Sequence, residues 1–181
     1  MSGIKEILGE TVLGKNGPVD VDSFAEEGYV VGLYFSAHWC PPCRSFTPKL
    51  VECYKACREA GKKFEVVFLS LDRDQKSFDE YYGEMPWLTV GFGSDVKTSL
   101  SQKYSVCSIP TLILVDGATG ETISTDGRNK VASDPSGSNF PWSGIPDSHW
   151  RCHHRNFGYD PTFKRRCYYG DARTLSLAVV A

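Results

Sequence analysis

Two cysteines separated by two residues, Cys40 and Cys43, are the side chains whose type and spacing most directly indicate chemistry. They follow an apolar run at residues 30–35 and open a segment with helical periodicity, a context typical of a redox pair. The free N–H groups and the dipole at a helix N-terminus favour a thiolate, which is the attacking species. Cys43 lies one turn further on, within disulfide reach and on a more shielded surface. We therefore predict that an exposed Cys40 attacks a disulfide and that Cys43 resolves the intermediate.

A structural zinc site is the alternative use for such a pair, and it needs four ligands about 2.3 Å from one ion. The next thiols along the chain are Cys53 and Cys57, on the same predicted helix. Ten residues of helix separate Cys43 from Cys53 by roughly 15 Å, so these thiols cannot share an ion. The spacing of Cys53 and Cys57 instead predicts two buried cysteines acting as small apolar side chains. The sequence thus predicts no metal at the Cys40–Cys43 centre.

The elements that position the pair are visible as alternating apolar runs and helical periods. Residues 30–35, 64–69 and 111–115 are continuous apolar runs, typical of strands that are buried on both faces. Apolar spacings of three and four predict a helix over residues 41–60, and shorter helices around 78–82 and 100–104. A turn at 116–120 followed by alternation at 121–124 predicts a hairpin. Together they predict an α/β fold with a central mixed β-sheet flanked by helices.

Composition limits the classes of function that fit this chain of 181 residues. With 41% hydrophobic and 13% aromatic residues, the chain can bury the core of one domain. Its net charge of −2 favours neither nucleic acid nor an anionic membrane as a partner. Seven cysteines and a start without a secretory signal pattern predict thiols in a reducing, intracellular compartment. The longest apolar run, residues 29–35, is too short to cross a bilayer.

The character of the chain changes after Trp142. Residues 143–181 carry six basic side chains against three acidic ones, and no structural period persists before the apolar end at 175–180. We predict a domain over residues 1–142 and a basic tail over 143–181 that is loosely packed or partly disordered. The tail also holds Cys152, His153, His154 and Cys167, whose spacing matches no defensible metal-ligand pattern. Its aromatic and basic residues leave an acidic partner or RNA as the alternative to a solvated segment.

The sequence around the cysteine pair is Trp39-Cys40-Pro41-Pro42-Cys43-Arg44, preceded by Tyr34-Phe35-Ser36-Ala37-His38. These residues resemble the nucleoredoxin and tryparedoxin branch of the thioredoxin superfamily. Glu84-Met85-Pro86-Trp87-Leu88 and Phe140-Pro141-Trp142 resemble the same branch, and nucleoredoxin in particular. The resemblance covers residues 3–142 and implies a thioredoxin fold.

Roles for individual residues follow from this resemblance. It implies that Cys40 is the nucleophile, Cys43 the resolving thiol, Trp39 a lid and Pro110 a cis-proline. A cis bond before Pro110 would direct the Ile109 backbone toward the thiols, where a substrate strand can pair with it. The resemblance implies substrate contacts at Trp39, Pro41, Pro42, Arg44, Trp87, Ile109, Pro110 and Arg128.

The implied activity is the reduction of protein disulfides through the Cys40–Cys43 pair, with no bound cofactor. Electrons would come from an upstream dithiol reductant, such as an NADPH-dependent thioredoxin reductase. The alternative is a redox-sensitive binding module that regulates a signalling partner of the Dishevelled type. The expected compartment is the cytoplasm, with the nucleus as a second one. Nucleic acid and membrane are not expected as partners.

Proton transfer at the centre is left open by the sequence, because Tyr34 stands where thioredoxin carries a buried acid. Asp72 is a candidate base, although a charged strand end that faces water is the favoured interpretation. His38 is a candidate for tuning the thiolate, with an exposed imidazole favoured instead. Cys107 is a candidate regulatory thiol, and an ordinary buried cysteine is favoured over that role.

Overall fold

The computed structural model describes residues 3–143, so the predicted tail lies outside the described residues apart from Ser143. Within that range the helices are α1 Gly3–Leu8, α2 Pro41–Glu59, α3 Gln75–Gly83, α4 Asp95–Lys103 and α5 Gly127–Ser133, with a 3-10 helix at Val21–Phe24. The strands are β1 Thr11–Gly14, β2 Gly17–Asp20, β3 Val30–Ser36, β4 Phe64–Ser70, β5 Leu88–Thr89, β6 Thr111–Asp116 and β7 Thr122–Ser124. None of the helices in this range has the length and apolar character needed to cross a membrane.

The strands form a single mixed sheet in the order β2-β1-β5-β4-β3-β6-β7. β3 pairs with β4 in parallel over seven residue pairs, and with β6 in antiparallel on its other side. Every residue of β3 and β4 is buried, as continuous apolar runs predict for strands covered on both faces. The predicted mixed sheet is therefore confirmed, and the last residues of β3 and β4 lie beside the first residue of β6 at the end of the sheet where α2 begins.

A separate apolar core covers each face of the sheet. Alternate side chains along β3 point to opposite faces, so Tyr34 belongs to one core and its neighbours Leu33 and Phe35 to the other. The first core packs the sheet against α2, α3 and α5, and the second packs it against α1 and α4. The active end of α2 is thus anchored on the Tyr34 side of the sheet.

Helix α2 matches the segment predicted from periodicity almost residue for residue. It runs from Pro41 to Glu59 and buries the predicted apolar face, which comprises Phe46, Leu50, Cys53, Tyr54 and Cys57. Pro48 lies inside the helix, where it cannot donate to the carbonyl four residues earlier. Packing of the apolar face offsets this loss, since burying one large apolar side chain contributes about 1.5–3 kcal/mol.

Helices α3 and α4 and the β6–β7 hairpin confirm the remaining element predictions. The elements that the sequence pattern did not predict are α1, β1, β2, the 3-10 helix, β5 and α5. Each of them has seven residues or fewer, which is too short for a hydrophobic period to stand out. Their positions are set by contacts with the sheet.

Residues 134–142, after α5, form a strap that packs against α2 and the start of β4. The Asp134 carboxylate accepts the N–H groups of Ser138 and Asn139, both at 2.8 Å, and the indole N–H of Trp142 at 3.0 Å. Trp142 is buried with its ring edge-to-face against Phe64, the centroids being 5.4 Å apart. One carboxylate therefore closes the strap.

Candidate active site

The reactive pair lies at the start of α2, at the carboxyl end of β3. Cys40 is the N-cap residue of the helix, and its Sγ accepts the N–H of Cys43 at 3.3 Å. Pro41 and Pro42 occupy the first helical positions, where a backbone N–H would have no partner within the helix. The Cα atoms of Cys40 and Cys43 are 5.2 Å apart and their sulfurs form a disulfide. The pairing predicted from the spacing is confirmed.

Both cysteines are fully buried in this disulfide state, so the predicted exposure of Cys40 is wrong. Cys40 and Cys43 are each 0% exposed. Leu71, just after β4, and Ile109, just before β6, pack over them. Side chains next to the two strands that flank β3 thus cover a sulfur that an isolated helix would leave at the surface.

The segment facing the disulfide is the loop before β6. The Ile109–Pro110 peptide bond is cis, as expected. The carbonyl oxygen of Ile109 lies 3.8 Å from the Sγ of Cys40. Ile109 is half-buried and Pro110 is buried. The predicted approach of the Ile109 backbone to the thiols is confirmed, whereas pairing with a substrate strand remains a prediction.

Trp39 lies beside the pair and is the most exposed large apolar side chain among the described residues, at 47%. Its indole N–H donates to the carbonyl of Leu71 at 3.3 Å. The guanidinium of Arg73 lies 5.5 Å from the centre of the Trp39 ring, within cation–π range. Sequence reasoning missed Arg73, although its place just after a central strand puts it at the same edge as Cys40. The site therefore presents an aromatic and cationic surface next to the disulfide.

The loop that leads into Cys40 is held by Asp72, which is buried, so the favoured interpretation of a water-facing strand end is wrong. Asp72 is 6% exposed; one carboxylate oxygen accepts the N–H of His38 at 2.8 Å, and the other accepts the hydroxyl of Ser70 at 2.7 Å. The His38 ring is half-buried against Tyr81, with centroids 5.7 Å apart, so its predicted exposure is also wrong. The strand order brings these residues together, and this proximity is not visible from local sequence.

Four buried hydroxyl groups are linked by hydrogen bonds to one another and to the backbone of Cys43. We call them the hydroxyl cluster: Tyr34, Ser36, Thr47 and Tyr81. The Thr47 hydroxyl donates to the carbonyl of Cys43 at 3.0 Å. Its oxygen also lies 2.8 Å from the Tyr34 hydroxyl and 2.6 Å from the Tyr81 hydroxyl. The Tyr81 hydroxyl lies 2.8 Å from the Ser36 hydroxyl. Burial raises the pKa of Tyr34, which keeps its phenol protonated.

Trp87 is not at the surface, which corrects its predicted role in substrate binding. It is 1% exposed and packs edge-to-face against Tyr34 and Tyr54, with ring centroids 6.0 and 5.7 Å away. The strand order places β5 beside β4, so this large ring fills the core between the sheet and α2. The remaining predicted contact residues at exposed positions are Pro41, Pro42, Arg44 and Arg128, the last in the first turn of α5.

The other described cysteines divide into a buried pair and an exposed thiol. Cys53 and Cys57 are buried on the apolar face of α2, as predicted. Cys107 is exposed, so the favoured interpretation of a buried cysteine is wrong; its thiol donates to the Ser105 carbonyl at 3.2 Å. Residues 3–143 contain no group of three or more His, Cys, Asp or Glu side chains placed to hold a metal. The four candidate ligands in the tail lie outside the described residues.

Comparison with known proteins places this geometry in a family. A family model described as thioredoxin-like matches residues 28–122. The nucleoredoxin of Danio rerio is 48% identical over 133 residues, which cover 73% of this chain and 32% of the relative. The chain therefore spans about a third of the length of that nucleoredoxin.

Tryparedoxins are similar over their full length. The tryparedoxin of Trypanosoma brucei brucei is 47% identical over 145 residues, covering 78% of this chain and 99% of the relative. A solved structure of tryparedoxin II complexed with glutathionylspermidine covers 78% of this chain and 99% of that one, with a TM-score of 0.73 and 40% identity. The active-site pair, the cis-proline and these matches agree, and the chain belongs to the thioredoxin-like family.

Proposed function

We propose that the chain is a thiol–disulfide oxidoreductase that reduces protein disulfides through Cys40 and Cys43. The observation that carries this proposal is the disulfide at the N-terminus of α2, with the Ile109 carbonyl 3.8 Å from the Cys40 sulfur. The helix start supplies an N–H donor to that sulfur, and such donors favour a thiolate after reduction. Trp39 and Arg73 supply a contact surface beside the sulfur for the polypeptide around a substrate disulfide.

The reaction takes place as two exchanges of sulfur partners. In the first, the Cys40 thiolate attacks one substrate sulfur, a Cys40–substrate bond forms, and the electron pair leaves on the second substrate sulfur, which takes up a proton. In the second, Cys43 loses its proton, its thiolate attacks the Cys40 sulfur, and the first substrate sulfur leaves as a thiolate that takes up a proton. The substrate gains two electrons, and the enzyme ends in the Cys40–Cys43 disulfide state.

An external thiol must then return the pair to the reduced state. We assign this step to an upstream dithiol reductant that draws on NADPH through a reductase. The solved complex of tryparedoxin II holds glutathionylspermidine, which supports a small glutathione-type thiol as a further class of donor or substrate. The cytoplasm, and the nucleus as a second compartment, match the reducing conditions that this cycle needs.

Insulin disulfide reduction, driven by dithiothreitol or by a reductase with NADPH, tests the activity. We expect Cys40→Ser to lower the rate at least about a thousandfold, because it removes the attacking sulfur. Cys43→Ser should retain the first exchange and accumulate a mixed disulfide that mass spectrometry detects. Cys107→Ser is the matched control, an exposed thiol outside the pair, and should react at the wild-type rate.

A Cys40→Ser protein with the wild-type rate of insulin reduction would overturn the proposal. A Cys40→Ser protein that has lost turnover but still captures a signalling partner under reducing conditions would support the redox-sensitive binding module instead.

A further inference from the structure

The hydroxyl cluster has one arrangement of protons that satisfies all four of its contacts. A carbonyl only accepts, so the single proton of the Thr47 hydroxyl lies on its contact with Cys43. The Thr47 oxygen must then accept from both Tyr34 and Tyr81. Because the Tyr81 proton is used in this way, its oxygen accepts from Ser36. Every donor in the cluster therefore points along the chain toward Cys43.

We propose that Thr47 and Tyr81 are positioning residues that orient this chain of hydroxyl dipoles so that it stabilises the thiolate form of Cys43. The proposal rests on the proposed function, in which Cys43 must ionise to resolve the mixed disulfide. The cluster acts on the same step as the buried acid of thioredoxin, ionisation of the resolving thiol, but in a different way: it provides oriented donors that stabilise the thiolate and no carboxylate that accepts the proton.

The need for such stabilisation follows from burial. Cys43 has no exposed surface, and a thiolate that loses its contact with water is strongly disfavoured unless dipoles or charges replace that contact. The N–H of Cys43 is already directed to the Cys40 sulfur at 3.3 Å. The hydrogen bond from Thr47 to the Cys43 carbonyl directs the positive ends of the cluster's dipoles toward this residue, in a buried region where low polarity strengthens their potential.

The cluster is held in place by the same elements and loops that position the two cysteines. Tyr81 lies on α3, Thr47 on α2 and Ser36 at the end of β3, so three elements meet at these hydroxyls. The His38 ring packs on Tyr81, and Asp72 holds the His38 backbone. The titratable side chains linked to Cys43 or to the cluster by these contacts are Cys40 at the N-cap of α2, Tyr34 on β3, Tyr81 on α3, and His38 and Asp72 in the loops.

The test measures ionisation of Cys43 directly, without turnover, in a Cys40→Ser background of the full chain. Carbon-13 labelling of the cysteine β-carbons reports each thiol's ionisation by NMR, and loss of one resonance in a Cys40→Ser, Cys43→Ser double variant assigns Cys43. We expect Thr47→Val to lower the acid ionisation constant of Cys43 about fivefold, because it removes the hydroxyl dipole nearest to Cys43 and breaks the chain of dipoles behind it. Thr47→Ser, which keeps the hydroxyl, should restore the wild-type constant.

Tyr81→Phe should lower the constant about two- to threefold, since it removes one donor to Thr47 and leaves Tyr34 in place. Tyr54→Phe is the matched control, because its buried hydroxyl bonds to Glu65 and not to the cluster, and it should leave the constant unchanged. In the chain with both active cysteines, we measure the rate of mixed-disulfide resolution as a function of pH. The midpoint of this pH profile should move to higher pH by the logarithm of the same factors. A purely structural role would lower that rate equally at every pH.

Unchanged Cys43 ionisation in both Thr47→Val and Tyr81→Phe would overturn the proposal, as would an equal change in Tyr54→Phe. If Thr47→Val fails to fold, Tyr81→Phe, which keeps the ring and its packing, decides the outcome alone. Insulin reduction by the wild-type chain is measured separately, so failure of the oxidoreductase assignment is distinguishable from failure of this one.

Discussion

Helix α2 and its N-cap residue hold two pairs of cysteines, and both pairs are fully buried, yet their surroundings are opposite in kind. Cys40 and Cys43 lie at its N-terminus, where a backbone N–H points at the Cys40 sulfur. Cys53 and Cys57 lie three turns later, where the Cys53 thiol donates to the carbonyl of Asp134 at 3.6 Å. Cys40 of the first pair meets a donor that favours a thiolate, and Cys53 of the second pair meets an acceptor that favours a thiol.

The electrostatic consequence is clear for Cys53. Its hydrogen bond with Cys57, together with burial, raises the pKa of Cys53 and keeps it protonated. The two pairs also differ in the groups that pack over their sulfurs. Two side chains, Leu71 and Ile109, close the first pair, whereas the strap lies over the second. Burial alone therefore does not separate an inert cysteine from a reactive one; the direction of the neighbouring dipoles and the nature of the cover do.

The largest contrast is expected in chemical reactivity. After mild reduction, iodoacetamide at pH 7 should label Cys40 at least about a thousandfold faster than Cys53 or Cys57, because labelling of the second pair requires opening of the core. Peptide-resolved mass spectrometry over time measures each rate. Cys107 serves as the reference for an exposed thiol. Labelling of Cys57 within tenfold of Cys107 would remove the distinction between the pairs.

The tightness of the strap over the second pair is tested at Gly137, which has a φ of +65° and lies directly against the Cys57 sulfur. Gly137→Ala should lower the free energy of unfolding by about 3 kcal/mol, because it adds overpacking to backbone strain. The control is Gly61→Ala, with a φ of +71° and open space around the added carbon. That change should cost only about 1 kcal/mol.

Urea unfolding of these variants, together with Cys57→Ala and the double variant Cys57→Ala, Gly137→Ala, gives the coupling energy between the two positions. Removal of the sulfur should recover most of the difference between the two glycine substitutions. Equal costs at Gly61 and Gly137 would show that the strap does not press on Cys57.

The Asp134 carboxylate, which accepts the hydrogen bonds within the strap, makes the stability of the strap dependent on pH. Burial opposes the charge on Asp134, but hydrogen bonds from Asn139, Trp142 and Ser138 outweigh it and lower the pKa of this carboxyl. Its stabilisation is therefore complete above the unfolded-state pKa of about 3.9 and is lost as pH falls through the lower folded-state value. Asp134→Asn should reduce the free energy of unfolding at pH 7 by about 2 kcal/mol.

Urea titrations of the wild type and Asp134→Asn at pH 7 and at pH 2.5–3 measure this effect. The difference between the two proteins should narrow at the lower pH, and labelling of Cys57 should accelerate in the variant. An undiminished difference in acid would show that the charge of Asp134 does not hold the strap.

The smallest effect is expected at the aromatic and cationic surface that only the first pair possesses. Arg73→Ala should lower kcat/KM for insulin reduction about two- to threefold, since an exposed cation–π contact is worth about 0.5–1 kcal/mol. Lys63→Ala is the control, because its ammonium lies 5.6 Å from the Tyr29 ring, well away from Cys40 in the fold. Equal losses in the two variants would argue against a role for the Arg73–Trp39 contact in catalysis.

Local sequence was sufficient to predict the elements that carry the site. The period of α2, the three apolar runs and the position of Cys40 before the helix are properties of neighbouring residues, and all three are confirmed. The cis bond before Pro110 was expected from resemblance and is also confirmed. Short elements such as α1 and β5 escaped prediction because they are held by the sheet and not by their own pattern.

The sequence by itself determined that two cysteines one helical turn apart follow a buried strand, because strand, helix and spacing are all encoded within about thirty residues. Only the tertiary structure decided the surroundings of those sulfurs. The order β5-β4-β3-β6 placed Leu71, Asp72 and Ile109 beside the last residues of β3, at one end of the central strands, and directed Trp87 into the core. The hydroxyl cluster likewise joins residues up to 45 positions apart. Such proximity depends on which strands pair, and no local period records that choice.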